Sequence, residues 1–597
     1  MVELEQNIKQ NISQALQNLY NLAVAPESIS LQPTRKEFAG TFTFVTFPFT
    51  KSIGKTPDII GVELGKYLKD NTAEVYSYNV VKGFLNLEID DAIWAEVFRH
   101  LATDADFGYA KDKKSKVVVE YSSPNTNKPL HLGHLRNNFL GYSVAEILKA
   151  NGHEVVKVNL VNDRGIHIRK SMLAYHLYGQ GETPQSSGIK GDHLAGKYYV
   201  LFDKAYKSEI DELVSSGMET EVAKKEAPLM RRAQEMLQKW EQGDEEVIQL
   251  WQQMNGWVYD GFAETYQNIG VDFDKFYYES QTYLLGKSSV DEGLAKGVFF
   301  KKDDGSVWVD LTAEGLDEKL VLRADGTSVY ITQDLGTAEL KYRDFSYDLS
   351  IYVIADEQNY HMQVLQAILK KLERPYANGI YHLSYGMVDL PSGRMKSREG
   401  TVVDADELVA EMVETAHKQT DELGKIEGFT EEEAQQLYHT LAMGALKYFL
   451  LKVDPKKRML FNPEESISFI GNTGPFIQYT HARIAAILRK AAELNIPTDA
   501  TAYAGVAAFH ETERDVITQL AAFPNVVQEA ANLYAPSVVG QYAYELAKAY
   551  NRFYTEVSIF QETNPAVLSF RVTLSKMVAQ NIKRAMRLLG IEVPERM

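Results

Sequence analysis

NTNKPLHLGHLRNN, running from Asn125 to Asn138, sets a proline, two histidines and a glycine between a strand-like and a helix-like segment. Upstream, KVVVEYSS (Lys116–Ser123) is a short apolar run rich in β-branched residues, and downstream LRNNFLGYSVAEILKANG keeps a helical period to Asn151 and Gly152. Strand, glycine-bearing turn and helix, in that order, open a doubly wound α/β sheet, whose ligands bind at the carboxyl ends of the strands. The helix that starts there offers free N–H groups and a positive dipole end to phosphate. His131 and His134, two of only thirteen histidines, stand three apart and share one helix face. Gly133 leaves room for a flat ring against the backbone. The segment therefore reads as a nucleotide site. Two polar histidines that merely cap a helix are the plain alternative. Zinc fits less well, because metal-binding pairs on helices stand four apart with a glutamate between them. H-x-G-H also suits small nucleotidylyltransferases, so the motif specifies adenylate chemistry before it specifies a family.

Working outward, HEVVKVNLVN, YDLSIYVIAD and GIYHLSYGMVDL repeat the buried strand style between helical stretches, as a parallel sheet requires. Residues of about 187–260 interrupt it with a charge-dense helical stretch, read as an insertion of solvated helices. Before the sheet, NIKQNISQALQNLYNL reads as a helix, and GTFTFVTFPFTKSI and KGFLNLEI as strands, with KDKKSK (Lys111–Lys116) as a linker. After it, FTEEEAQQLYHTLAMGALKYFLL opens with the capping box Thr430/Glu433, and helical patterns continue to the C-terminus. The expected architecture is an N-terminal α+β domain (1–112), a Rossmann-like doubly wound catalytic domain (113–425) and a C-terminal all-α helical bundle (426–597).

With 597 residues the chain exceeds what one core supports. A net charge of −18 speaks against nonspecific coating of nucleic acid, although a local basic face remains compatible with a specific RNA partner. The absence of cysteine excludes disulfides, thiolate zinc sites and cysteine nucleophiles. No apolar run reaches the ~20 residues a bilayer needs, and the acidic, amphipathic start is unlike a signal or transit peptide. The expected address is the cytoplasm.

EYSSPNTNKPLHLGHLRNN resembles the segment around the HIGH motif of class I aminoacyl-tRNA synthetases, and specifically of the arginyl-tRNA synthetases. VYITQDLGTA (Val329–Ala338), IADEQNYHMQ (Ile354–Gln363), GRMKSREGTVV (Gly393–Val403), GNTGPFIQYTHARI (Gly471–Ile484) and the ending MRLLGIEVPERM extend the resemblance over nearly the whole chain. It implies ATP-dependent arginyl-adenylate formation followed by transfer to the terminal adenosine of tRNA, with Mg²⁺ carried by the substrate, no protein-held metal, and a monomer. Catalytic roles fall on His131, His134, Lys128, Lys396 and Arg398. ATP contacts fall on Ser122, Lys128, His131, Gly133, His134, Val388, Met395 and Lys396.

A guanidinium substrate calls for a carboxylate that pairs with it through two hydrogen bonds. The resemblance gives that task to Asp334 and Tyr330, four apart on a helical turn, with Glu120 as a second carboxylate. Asn125, Gln358 and Ser123 complete the arginine set. The KMSKS signature of the class reads Arg394-Met395-Lys396-Ser397-Arg398, with serine where the second lysine belongs. Lys128, three residues before His131, is the expected substitute, and Gly400 allows a tight turn. The bundle is expected to read the anticodon through Tyr479, Arg483 and Arg489, with His481 near the same face, while the N-terminal domain leans on the tRNA elbow.

Overall fold

The computed structural model describes every residue except Met1, Lys36, 105–106, 390–402 and 423–427. A first sheet holds β1 (Leu31–Pro33), β2 (Phe42–Val45), β3 (Val75–Val81) and β4 (Phe84–Ile89) in antiparallel order β1-β2-β4-β3. Helices α1 (Val2–Tyr20) and α2 (Pro57–Asn71) accompany it. The strand expected through GTFTFVTFPFTKSI stops at Val45. Thr46 turns to αR, and Phe47–Phe49 form a 3₁₀ turn around Pro48, which has no N–H for a ladder. Helix α3 (Asp91–Thr103) then leaves the sheet for the C-terminal helices, where Phe98 packs against Phe570 and Tyr503 at ring separations of 4.8 and 5.2 Å.

The central sheet is parallel throughout, in the order β12-β11-β5-β6-β7. Its strands are β5 (Lys116–Glu120), β6 (Glu154–Val161), β7 (Lys275–Tyr278), β11 (Leu349–Ala355) and β12 (Ile380–Tyr385); β8 (Phe299–Lys301), β9 (Val307–Val309) and β10 (Lys319–Leu322) form a separate antiparallel sheet. From β5 the chain builds outward through β6 and β7, then returns to build the other way through β11 and β12. The carboxyl ends of β5 and β11 therefore flank the switch point where such a sheet opens a crevice. Val117, Val118 and Val119 of β5 are wholly buried, which explains an apolar run without polar alternation.

Helix α4 (Leu132–Ala150) links β5 to β6, and α5 (Ile166–Tyr178) follows β6. The interruption before β7 is helical: α6 (Gly191–Ser215), α7 (Pro228–Glu241) and α8 (Glu245–Asn268), with a small core of its own around Leu194, Tyr198 and Phe202. Helices α9 (Tyr330–Phe345) and α10 (Asn359–Lys371) bracket β11, and β13 (Val388–Asp389) pairs with β14 (Met459–Leu460). Helix α11 (Ala405–Glu422) leads to α12 (Glu431–Leu451), which begins with the capping box Thr430/Glu433. Helices α13 (Gly474–Glu493), α14 (Glu511–Leu533), α15 (Pro536–Glu556) and α16 (Pro565–Leu588) complete the bundle. The boundary expected at 425/426 lies outside the described residues. None of the described helices is long and apolar enough to cross a membrane.

Candidate active site

The turn after β5 is held in a costly backbone shape. Strand pairing ends at Glu120, short of Ser123, and Ser122 and Ser123 take φ values of 75° and 45°. Non-glycine residues persist in that region only where neighbours over-determine them. Here Ser122 N–H donates to Asn137 Oδ1 at 2.6 Å and Ser123 N–H to Asn159 Oδ1 at 3.1 Å. Asn137 in turn donates to Val353 O at 2.7 Å, tying the turn to β11. Arg136 donates to the carbonyls of Pro455 and Lys457 at 3.0 and 2.8 Å. These bonds account for the polar Arg136 and Asn137 inside a buried helix. The Ser122 hydroxyl lies against Tyr266 Oη at 2.7 Å, inside the protein. Position 122 contributes both the turn and this hydroxyl contact.

His131 is the N-cap of α4. Gly133 N–H donates to His131 Nδ1 at 3.1 Å, and His131 N–H donates to His134 Nδ1 at 3.2 Å, with the rings 3.9 Å apart. A Cβ on Gly133 would lie 3.0 Å from His131 Cε1, so the flat ring against that glycine is His131's own. Burial, and then the Lys128 cation, push His131 down to about 4. Burial also carries His134 well below the ordinary histidine range. Both imidazoles are thus neutral at physiological pH, and with Nδ1 accepting, the proton resides on Nε2. Capping and phosphate binding need not compete: one nitrogen caps and the other donates. Lys128 is half-buried beside them, its ammonium pulled down by that burial.

Across the crevice, Tyr330 opens α9 with 78% of its surface exposed, and Asp334 lies one turn on. His361 of α10 meets Asp334 Oδ2 at 2.5 Å, and this carboxylate raises the imidazole pKa. Glu120, the expected second carboxylate, is buried and paired with the buried Lys341 at 2.8 Å, so its charge is already compensated. That pairing fixes one Glu120 oxygen, Oε2, on the α9 lysine. Glu279, just after β7, is a further carboxylate near Asp334. Burial raises it to about 7, Arg164 opposes that shift, and Asp163 and Asp334 add to it. Asn125 and Gln358 are both exposed, Gln358 closing the 3₁₀ turn that follows β11. Val388 is half-buried in β13. Met395, Lys396, Ser397, Arg398 and Gly400 lie outside the described residues.

A family model described as "tRNA synthetases class I (R), catalytic domain" matches residues 96–462. Models described as "DALR anticodon binding domain" and "Arginyl tRNA synthetase N terminal domain" match residues 477–597 and 6–89. The chain belongs to the arginyl-tRNA synthetase family. The arginine–tRNA ligase of Amoebophilus asiaticus is 60% identical over 99% of both chains, and that of Bacteroides thetaiotaomicron 55% identical over 100% of both. The structure of the Thermus thermophilus arginyl-tRNA synthetase shares the fold, with a TM-score of 0.76 at 23% identity over 99% of this chain and 100% of that one.

Within the arginyl-tRNA synthetase bundle, Arg483 lies between the rings of Tyr479 and Tyr554, 4.8 and 5.1 Å from their centroids. Arg489 is exposed and donates to Glu595 O at 2.9 Å. His481 departs from the expected face: it is buried, with Nδ1 3.0 Å from Pro594 O, and helps seat the C-terminal tail. Sequence reading missed Glu279 and His361. His361 sat inside a quoted motif, three residues past Gln358, and only the packing of α10 on α9 reveals its partner. Glu279 sits in no motif, and only tertiary proximity to Asp334 marks it.

Proposed function

We propose that this chain ligates L-arginine to its tRNA at the crevice between β5 and β11, the residues above dividing the work. The carrying observation is the histidine pair, neutral, capped through Nδ1 and presenting Nε2–H at a helix start. The arginine carboxylate is ionised at neutral pH, so its attack on the α-phosphorus of ATP needs no general base. The protein positions the reactants and stabilises charge growing on phosphate oxygens. His131 and His134 donate to those oxygens, and Lys128, Lys396 and Arg398 supply positive charge. ATP brings Mg²⁺ on the leaving pyrophosphate. Gly133, Val388 and Met395 border the nucleotide, and Ser123, Asn125 and Gln358 hold the amino-acid end. The acyl group then passes to the 2′-hydroxyl of the terminal adenosine of tRNA.

The side chain of arginine is read by Asp334, with Glu120 as the second carboxylate, Glu279 as a further one and Tyr330 closing over them. A guanidinium favours the ionised form of Glu279 and displaces His361 from Asp334, so binding releases protons. The sign is fixed: affinity falls as pH drops through about 7, by roughly tenfold from pH 8 to pH 6 for one linked group. Calorimetry in buffers of different ionisation enthalpy measures the release, and Glu279→Gln reduces it. No proton release in wild type would remove Glu279 from the guanidinium site.

Lys128 takes the place of the missing signature lysine. Lys128→Ala is expected to slow adenylate formation severely, and Ser397→Lys in that background to recover part of the rate, since a lysine ammonium is a point charge on a flexible stem. A near-normal Lys128→Ala enzyme without rescue would leave Lys396 or Arg398 as the phosphate cation. The bundle reads the anticodon through Tyr479, Arg483 and Arg489, by stacking and phosphate contact, and the chain acts as a monomer in the cytoplasm.

A further inference from the structure

The flank of the histidine turn is closed by three residues from far along the chain. Leu132 N–H donates to Val403 O at 3.0 Å, Ala405 N–H donates to Leu130 O at 2.9 Å, and His131 faces Asp404 across this short antiparallel bridge. Asp404 Oδ1 also accepts from Asp406 and Glu407 N–H at 2.8 and 3.1 Å, capping α11. The backbone at His131 is therefore fixed from this side by the segment 403–406. Two charged residues at the start of the helical insertion grip that segment.

Lys190 Nζ donates to Asp406 Oδ2 at 2.6 Å, to Thr265 Oγ1 at 2.5 Å and to Asp192 Oδ2 at 3.3 Å, so all three of its protons have partners. Thr265 completes the ring by donating to Asp406 Oδ1 at 3.0 Å. His193 Nε2 lies 3.1 Å from Asp406 Oδ2 and 3.5 Å from Asp404 Oδ2. Asp192 is fully buried against Gly261, where a Cβ would lie 2.4 Å from its Oδ1. The ligand atoms of Asp192, His193 and Asp406 lie within 4.8 Å of one another, as in a metal site, but the Lys190 ammonium already bonds two of these three residues. Three carboxylates thus converge on one ammonium and one imidazole, drawn from the start of α6 and the start of α11, with Thr265 of α8 between them. Solvated surface helices have no use for such a cluster.

We infer that Lys190, His193, Thr265, Asp192, Asp404 and Asp406 form a tether by which the helical insertion positions the His131 turn for adenylate formation. The inference rests on reading that turn as the nucleotide site. Lys190 and His193 are positioning residues that act through residues 403–406. Burial opposes the charged imidazole of His193, yet Asp406, Asp404 and Asp192 hold its pKa above the ordinary value even beside the Lys190 cation. Breaking the tether by neutralising one member leaves an uncompensated charge, which shifts neighbours instead of being absorbed.

The test is arginine-dependent ATP–pyrophosphate exchange, with tRNA present, on full-length Lys190→Met, Asp406→Asn and Thr265→Val, with urea unfolding of each. An ångström of misplacement at the turn predicts a kcat about 10- to 100-fold lower for the two charge variants, and about 2- to 10-fold lower for the milder Thr265→Val. The arginine KM stays within about twofold, because Asp334 and Glu279 lie outside the tether. Normal kcat in Lys190→Met and Thr265→Val overturns the tether, as does an arginine KM rising in step with the loss of kcat. Should Lys190→Met fail to fold, Thr265→Val decides. His131→Ala serves as the reference. If it is slow while Lys190→Met is normal, only the tether fails; if His131→Ala is itself normal, the nucleotide reading of the turn fails.

Discussion

Replacing Asp334 with asparagine is expected to weaken arginine binding by about 30- to several-thousand-fold, leaving ATP binding within about twofold. The size follows from what remains. A guanidinium drawn out of water beside Glu279 keeps one partner and loses the other, and truncating one side of a desolvated charge pair removes about 2–5 kcal/mol. Two features of this site pull the effect toward the lower end. Asp334 already shares Oδ2 with His361, so arginine must displace an existing bond. Asp334 also raises the Glu279 pKa, so its loss leaves Glu279 more readily ionised. Titration of arginine by calorimetry gives the first quantity and the Michaelis constants give the contrast. Equal rises for arginine and ATP would assign Asp334 to the architecture of α9 and not to the substrate.

At His134 the second large effect separates two jobs that one side chain performs. Nδ1 accepts from His131 N–H and caps α4, and Nε2–H is the proposed donor to phosphate. Asparagine places an acceptor near Nδ1 and nothing at Nε2, whereas glutamine carries an amide N–H out to the reach of Nε2. His134→Ala and His134→Asn are therefore both expected to slow single-turnover adenylation by about 10²- to 10³-fold, the usual loss for one transition-state donor. His134→Gln keeps much of the rate, because its amide restores a donor near the Nε2 position. Arginine binding changes little in all three. Slow glutamine and normal asparagine variants would make the cap the whole story.

Much of the fold was legible because each signal was local. The buried run Val117–Val119, the turn and the period of α4 announce a parallel sheet, and Thr430/Glu433 announce α12. The strand through Phe47 failed because apolar alternation outweighed Pro48, whose missing N–H ends the ladder. At the site, the histidine turn was readable because a strand end, a cap and a helix start are adjacent in sequence. The arginine side was only half readable. Asp334 and Tyr330 share one helix, but Glu120 pairs with Lys341 from 221 residues away, and Asp334 with His361 across two helices. Nothing in the chain order reveals either partner. The insertion looked solvated because its charges are dense, yet the charged residues at its start, Lys190, Asp192 and His193, turn inward.

The account stands most directly on exchange between ATP and pyrophosphate in the presence of tRNA, with arginine compared against citrulline. Citrulline keeps the shape of the side chain and removes its positive charge. A site built from Asp334 and Glu279 leaves carboxylates unpaired when the charge is missing, and sites built to pair a substrate group reject the analogue by about 10⁴- to 10⁵-fold. The predicted result is rapid exchange with arginine and almost none with citrulline, the difference shrinking in Asp334→Asn. Comparable exchange with both amino acids, or none with arginine, would contradict it.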